Sequence, residues 1–175
     1  DSTWYAEHKG PELPIGVNQS HSSFQPGGAK QAQSALHQFL QGGGHGYSRH
    51  ISKPLTSPLH TSRLSTYLAY GCLSMRQVWQ ALQQVQHPRN SFRAFESRLH
   101  WHCHFIQKFE TQPNIEFTDL NPGYRNFPWQ NDEQHLQAWR NGQTGIPLVD
   151  ACMRCVAVTG FLNFRMRALL VSCLT

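Results

Sequence analysis

Apolar residues in this chain recur at helical rather than strand spacing almost throughout, and that period restricts the fold more than any other feature. Ala32, Leu36, Phe39 and Leu40 follow i, i+4, i+7, i+8 until Gly42-Gly43-Gly44 breaks the pattern. Leu64, Tyr67 and Leu68 share one face of a segment running from Ser62 to Tyr70, closed by Gly71. Ser74 is a suitable N-cap for a helix carrying Val78, Trp79, Leu82 and Val85. The longest periodic stretch, residues 91–110, spaces Phe92, Phe95, Leu99, Cys103 and Ile106 by three and four. A short helix around Leu136 and Trp139 comes next. Pro147 stands where a first helical residue belongs, with Leu148, Ala151, Cys152, Cys155 and Val156 as the expected buried stripe. Gly160 ends that helix and a last one opens near Leu162. Alternating apolar–polar runs are almost absent. The expected fold is all-α, a helical bundle-like domain.

Between these segments, residues 1–27 are rich in Pro, Gly, Ser, His and Asn and read as a linker or extended arm. Residues 45–60 read as a long loop and residues 111–131 as an acidic one, leaving 28–175 as a single domain. Charged residues make up only 14%, too few for a solvated disordered chain. No apolar run approaches the roughly 20 residues that cross a bilayer, and no secretory signal opens the chain, so no membrane partner is expected. The chain lacks an initiator Met and stops inside the apolar run Ala168–Thr175, which reads as a fragment.

The net charge of +5 is unevenly spread: +1 over residues 1–60, +4 over 61–110, −3 over 111–150 and +3 over 151–175. The basic segments are mostly Arg interleaved with Trp, His and Phe, a combination suited to phosphates and bases and equally to an ordinary solvated surface. The five cysteines (72, 103, 152, 155 and 173) are odd in number and lie in apolar runs. Buried free thiols in a reducing, cytoplasmic setting are expected. Cys152-Met-Arg-Cys155 has no second CxxC to complete four thiolates, and two small core residues account for it as well as a metal does.

Thr61-Ser-Arg-Leu-Ser65 places three hydroxyls and an Arg at the start of an apolar helix. Free N–H groups there, joined by hydroxyls and a guanidinium, make a phosphate site; redundant N-caps are the plainer reading. The stretch continuing to Ser74 resembles the TSRLSPYLAWGxLS segment of the photolyase/cryptochrome family. Thr144-Gly-Ile-Pro-Leu-Val-Asp-Ala-Cys-Met-Arg154 is similar to that family's TGxPxVDAxMR signature. Thr159–Arg167 resembles its TGWxxNRxRM helix, and Gln137–Gly142 its xAWxxG turn. The four segments keep the family's order and spacing, and the resemblance runs from about Gly28 to the C-terminus.

The resemblance implies the first half of a helical FAD-binding domain. It assigns FAD phosphates to Tyr47 and to Thr61, Ser62, Arg63, Leu64 and Ser65, and a flavin-side position to Phe95. Trp101 corresponds to the Trp lining the damaged-base pocket, where a flat ring stacks on a flipped-out pyrimidine dimer; plain helix packing also accounts for it. Trp129 corresponds to the outer Trp of an electron-transfer chain. Arg165, with Asn163 and Phe164, falls where the family contacts DNA, and Asp150 and Arg154 fall where buried partners orient helices.

Departures from the pattern bear on activity. Arg98 stands where dimer-repairing photolyases usually carry Glu, Phe164 replaces an Asn, and Thr66 replaces a Pro. His100, His102 and His104 surround the pocket Trp; His100 and His104 have metal-ligand spacing without a third ligand, so pocket or core histidines are expected and no metal. The implied function is an FAD-dependent, blue-light-driven DNA photolyase that splits pyrimidine dimers by electron transfer from reduced flavin. The alternatives are a cryptochrome-like photoreceptor without repair and a flavin-free helical nucleic-acid-binding remnant. Damaged DNA and FAD are the expected partners of a monomer, and the isolated 175 residues are expected to hold FAD weakly or not at all and to be inactive alone.

Overall fold

The computed structural model describes residues 24–85, 92–128 and 132–174, and every regular element among the described residues is helical. The first is α1, Ala29–Gln38, which widens into a π-turn over Phe39–Gly43. Gly44 follows because a Cβ there would overlap the Phe92 ring and meet the Phe39 carbonyl at 3.0 Å. Two one-turn helices, α2 (Tyr47–His50) and α3 (Ser57–His60), occupy the stretch expected to be plain loop. They escape a periodicity argument because one turn offers no repeat to detect.

After the turn at residues 61–64, α4 covers Ser65–Ala69, shorter than the spacing of Leu64, Tyr67 and Leu68 suggests. Helix α5, Met75–Gln83, opens with a reciprocal capping box. The Ser74 hydroxyl accepts the Gln77 N–H at 3.2 Å while the Ser74 N–H donates to Gln77 Oε1 at 2.8 Å. Helix α6, Arg93–Thr111, is the long one. Two 3₁₀ turns, Pro113–Glu116 and Pro122–Tyr124, punctuate the acidic loop that follows. The chain ends in α7 (Glu133–Arg140), α8 (Pro147–Thr159) and α9 (Phe164–Leu174). Most of the 1–27 arm and the whole of Trp129 lie outside the described residues.

Two hydrophobic cores result. The larger gathers Ala32, Leu36 and Phe39 with Leu64, Tyr67, Val78, Leu82, Phe95 and Leu99. At its centre Phe39 meets Phe95, Phe92 and Tyr47 edge-on, with centroids 4.7, 5.7 and 5.7 Å away. Edge-to-face packing of this kind adds to area burial. The smaller core packs Val149, Cys152 and Leu170 against Trp139, Met153, Leu162 and Met166, with Trp139 Nε1 donating to the Leu170 carbonyl at 3.1 Å.

The buried face of α8 is therefore Val149, Asp150 and Cys152, which meets the expected stripe only at Cys152 and, half-buried, Val156: Leu148, Ala151 and Cys155 are exposed. Apart from Asp150, Arg154 and the closing Thr159 this helix is apolar, so period does not reveal its inner face, and here α7 and α9 choose it. Of the described cysteines, all free, only Cys152 is buried; Cys72 and Cys103 are half-buried, and Cys155 and Cys173 exposed. No single helix among the described residues is long and apolar enough to cross a membrane. The α8–α9 pair, apolar together, is bent by 120° at the Gly160 break.

Candidate functional site

The turn between α3 and α4 is built around Leu64, 2% exposed and sunk in the larger core. Upstream, the Ser57 carbonyl accepts both the Thr61 N–H (3.0 Å) and the Thr61 hydroxyl (2.8 Å). Ser62 Oγ lies 3.5 Å from the Leu64 N–H. Between them Arg63 adopts φ 52°, left-handed backbone that a side chain rarely takes and that costs about 1–3 kcal/mol. Surrounding contacts hold it there: Gln25 Nε2 donates to the Arg63 carbonyl at 3.0 Å and the Tyr67 hydroxyl to the Pro26 carbonyl at 2.7 Å.

Anchoring Leu64 inward fixes the position of Arg63 and Ser65 on either side of it. The first N–H groups of α4 lack intrahelical acceptors, and the exposed Ser65 opens that helix. Arg63 Nε is buried and has no hydrogen-bond partner. An unsatisfied guanidinium N–H, serine hydroxyls and free amides within one short turn are the donor types that an anion with several acceptor oxygens takes, and a diphosphate fits this donor set.

Tyr47 and Phe95 lie together in the aromatic centre of the core, 5.7 Å apart and both buried. Burial pushes the Tyr47 phenol up to about 12, against a smaller downward pull from Arg98, so it stays a neutral hydrogen-bond donor at ordinary pH. Arg98, which stands in place of the expected Glu, thus acts electrostatically on Tyr47.

The outer face of α6 carries an open groove of about 470 Å³ lined by Arg93, Glu96, Ser97, His100, Trp101 and His104. Trp101 is 50% exposed and touches His104 and Phe105 of its own helix, while Trp79 meets His100 edge-on at 5.3 Å. Among the described residues no three metal-ligating side chains converge, and His100 and His104 line this groove with Trp101.

Arg165 projects from α9 and its Nε donates to Ser52 Oγ at 2.8 Å, tying the second core to the α2–α3 loop. Asn163 is buried and caps α9 by accepting the Met166 N–H at 3.0 Å, which leaves its Nδ2 without a partner. Phe164 is exposed, with the Arg167 guanidinium 6.0 Å from its ring. Asp150 and Arg154 hydrogen-bond to different partners: the buried Asp150 carboxylate binds Thr144 and Gly145, and the exposed Arg154 donates to the Gly142 carbonyl at 2.8 Å.

The structure therefore brings Tyr47 to Phe95 and Arg165 to the α2–α3 loop, with Trp101 on the outer face of α6. Three features were not legible in the sequence. Gln25 sits in an aperiodic arm, the Phe161 ring lies under the Arg63 guanidinium at 4.9 Å, and His50 stacks on His60 with centroids 4.0 Å apart. Phe161 belongs to the TGFLNFR segment, but a contact with so distant a turn leaves no local pattern.

Residues 95–175 match the family described as FAD binding domain of DNA photolyase. The chain is 41% identical over 110 residues to a deoxyribodipyrimidine photo-lyase of Thermus thermophilus, covering 61% of this chain and 25% of that protein. Identity to the cryptochrome DASH of Synechocystis sp. is 38% over 113 residues, 62% of this chain and 23% of the relative. To the deoxyribodipyrimidine photo-lyase of Escherichia coli it is 33% over 176 residues, 93% and 36% of the two chains.

Among solved structures, a class III photolyase from Agrobacterium tumefaciens superposes with a TM-score of 0.79 at 30% identity, covering 84% of this chain and 30% of that one. The Synechocystis sp. cryptochrome gives 0.76 at 32% identity, with 85% and 32% coverage. The chain spans about a quarter to a third of the length of the curated relatives it matches. With the family match on residues 95–175 and superposition over most of the described helices, the chain carries the helical FAD-binding fold of the photolyase/cryptochrome family.

Proposed function

We propose that this protein is an FAD-dependent, blue-light-driven DNA photolyase that splits pyrimidine dimers, with this chain supplying part of the flavin domain. The observation that carries the reading is the Thr61–Ser65 turn, whose buried Arg63 Nε and exposed Ser65 lie beside a helix start in a chain with this family's fold. Bound reduced FAD would supply the photoexcited electron that opens the dimer and receives it back. The protein's part is positioning and exclusion of water.

In this reading Ser62, Arg63 and Ser65 hold the FAD diphosphate, with Thr61 and Leu64 shaping the turn and Tyr47 and Phe95 forming a rigid wall behind it. Trp101 offers a flat apolar ring to a base extruded from the duplex, a step that costs least at a damaged site. Arg165 neutralises a DNA phosphate, flanked by Asn163 and Phe164. Trp129 serves as the outer electron donor. The protein acts as a monomer on damaged DNA in the reducing cytoplasm, consistent with its free cysteines.

A cryptochrome-like photoreceptor is the second reading, favoured by Arg98 at the position of the expected Glu and by the identity to cryptochrome DASH. The protein expressed from its natural reading frame, loaded with reduced FAD, separates the two. Blue-light-dependent restoration of dimer-containing DNA establishes the photolyase, and flavin photoreduction without restoration establishes the photoreceptor. Absence of any flavin binding overturns both and leaves a helical nucleic-acid-binding remnant.

A further inference from the structure

The Thr61–Ser65 turn is held in shape by residues outside its own core. Gln25 and Pro26 bind Arg63 and Tyr67 from the arm, and the Arg63 guanidinium lies over the Phe161 ring, 4.9 Å from its centroid. The Phe161 backbone is held in turn: its N–H donates to the Thr159 hydroxyl at 3.2 Å, whose own proton goes to the Cys155 carbonyl at 2.7 Å, and its carbonyl accepts from the Cys155 thiol at 3.5 Å. Gly160, left-handed at φ 64°, turns the chain out of α8, and a Cβ there would lie 3.7 Å from the Phe24 ring. The arm, the turn and the α8–α9 connection thus form one joint between the two hydrophobic cores. Two buried donors in these segments, Arg63 Nε and Asn163 Nδ2, have no partner, so the joint is under-satisfied in acceptors.

Stacking on a flat ring restricts the orientations open to a guanidinium. We propose that Phe161 is a positioning residue for the diphosphate turn: its ring orients the Arg63 guanidinium, so that capture of a diphosphate by the turn and docking of the α8–α9 unit onto the larger core are coupled. The proposal rests on reading the turn as the FAD diphosphate site. Coupling of this kind is reciprocal: whatever tightens the ligand also tightens the joint.

The test uses the protein expressed from its natural reading frame and freed of flavin, titrated with FAD and with riboflavin, which lacks the diphosphate. Amide hydrogen exchange over residues 147–174 is read in each state. The expected result is that Phe161→Leu weakens FAD binding about five- to tenfold, leaves riboflavin binding unchanged, and removes the FAD-induced protection of α9. Phe161→Trp is expected to restore both the FAD affinity and the protection. Equal losses for FAD and riboflavin would make Phe161 a purely structural residue and overturn the proposal. FAD affinity untouched by Phe161→Leu overturns the coupling and leaves the diphosphate reading standing. If the unsubstituted protein binds FAD no better than riboflavin, the diphosphate reading falls and the coupling with it.

Discussion

One carboxylate oxygen of Asp150 accepts both the N–H and the hydroxyl of Thr144, each at 2.7 Å, and the other accepts the Gly145 N–H at 3.1 Å. The Thr144 hydroxyl in turn accepts the Ile146 N–H at 3.2 Å. The turn that enters α8 is therefore closed by a single side chain on the first turn of that helix. Hydrogen bonds from Thr144 hold the Asp150 carboxyl below the usual carboxylate range, aided by the Gly145 N–H and the nearby Arg154.

That arrangement fixes a pH dependence. A depressed folded pKa means the unfolded chain binds the proton more readily, so stability rises as pH climbs toward about 4 and holds above it. It is lost as pH falls through the folded pKa. Asp150→Asn places an amide NH₂ or a weaker carbonyl before three donors, so the variant should melt lower at pH 7. It should also show a flatter acid limb. Thermal melts of both proteins between about pH 2 and pH 7 check this; parallel acid limbs would remove Asp150 from the acid transition.

Leu64 and Ser65 are neighbours with opposite expected consequences. Leu64 is buried in the larger core, so Leu64→Ala should cost about 2–5 kcal/mol in denaturant unfolding. Ser65 is exposed at the start of α4, so Ser65→Ala should change stability by no more than about 0.5 kcal/mol. If the turn holds the FAD diphosphate, Ser65→Ala should still weaken FAD binding severalfold, the loss of one hydrogen bond to a charged group. Fluorescence titration with FAD measures it, and unchanged affinity would take Ser65 out of the contact set.

The Tyr47 phenol, pushed up to about 12 by burial, makes an alkaline prediction. Because its folded pKa lies above the unfolded value of about 10, the neutral form stabilises the fold fully below pH 10. The contribution fades as pH rises from there through 12. Tyr47→Phe keeps the ring against Phe39 and Phe95 but has no proton to lose, so it should resist alkaline unfolding better than the unsubstituted protein. Ultraviolet titration should show one tyrosine ionising about two pH units late, and that late step should vanish in the variant.

The larger core was legible because its helices present apolar residues on one side only. The spacing of Ala32, Leu36 and Phe39, and of Phe95 and Leu99, matches the residues that are buried. The inner face of α8 was not legible, since Leu148 and Val149 are equally apolar and only the docking of Trp139 and Leu170 decides between them. The hydroxyls and guanidinium of the Thr61–Ser65 turn could be read from residue types. The left-handed backbone of Arg63 could not, because non-glycine residues almost never announce it. Its stabilising partners, Gln25 and Phe161, come from segments whose relation to the turn exists only after folding.

Arg165 gives a prediction about the proposed DNA contact. Its Nε is engaged by Ser52 at 2.8 Å, which orients the guanidinium and leaves its other donors toward solvent. A guanidinium that neutralises one phosphate releases about one counterion, so Arg165→Ala should weaken binding to duplexes of any sequence. It should also lower the slope of log affinity against log salt by about 1. Ser52→Ala frees Arg165 without removing its charge, so it should keep the salt slope while weakening binding only slightly. Affinities of the three proteins for a dimer-containing duplex, measured from about 50 to 200 mM salt, decide the matter. A slope that falls equally in both variants would mean that the Arg165–Ser52 tie shapes the α2–α3 loop and that another cation makes the contact.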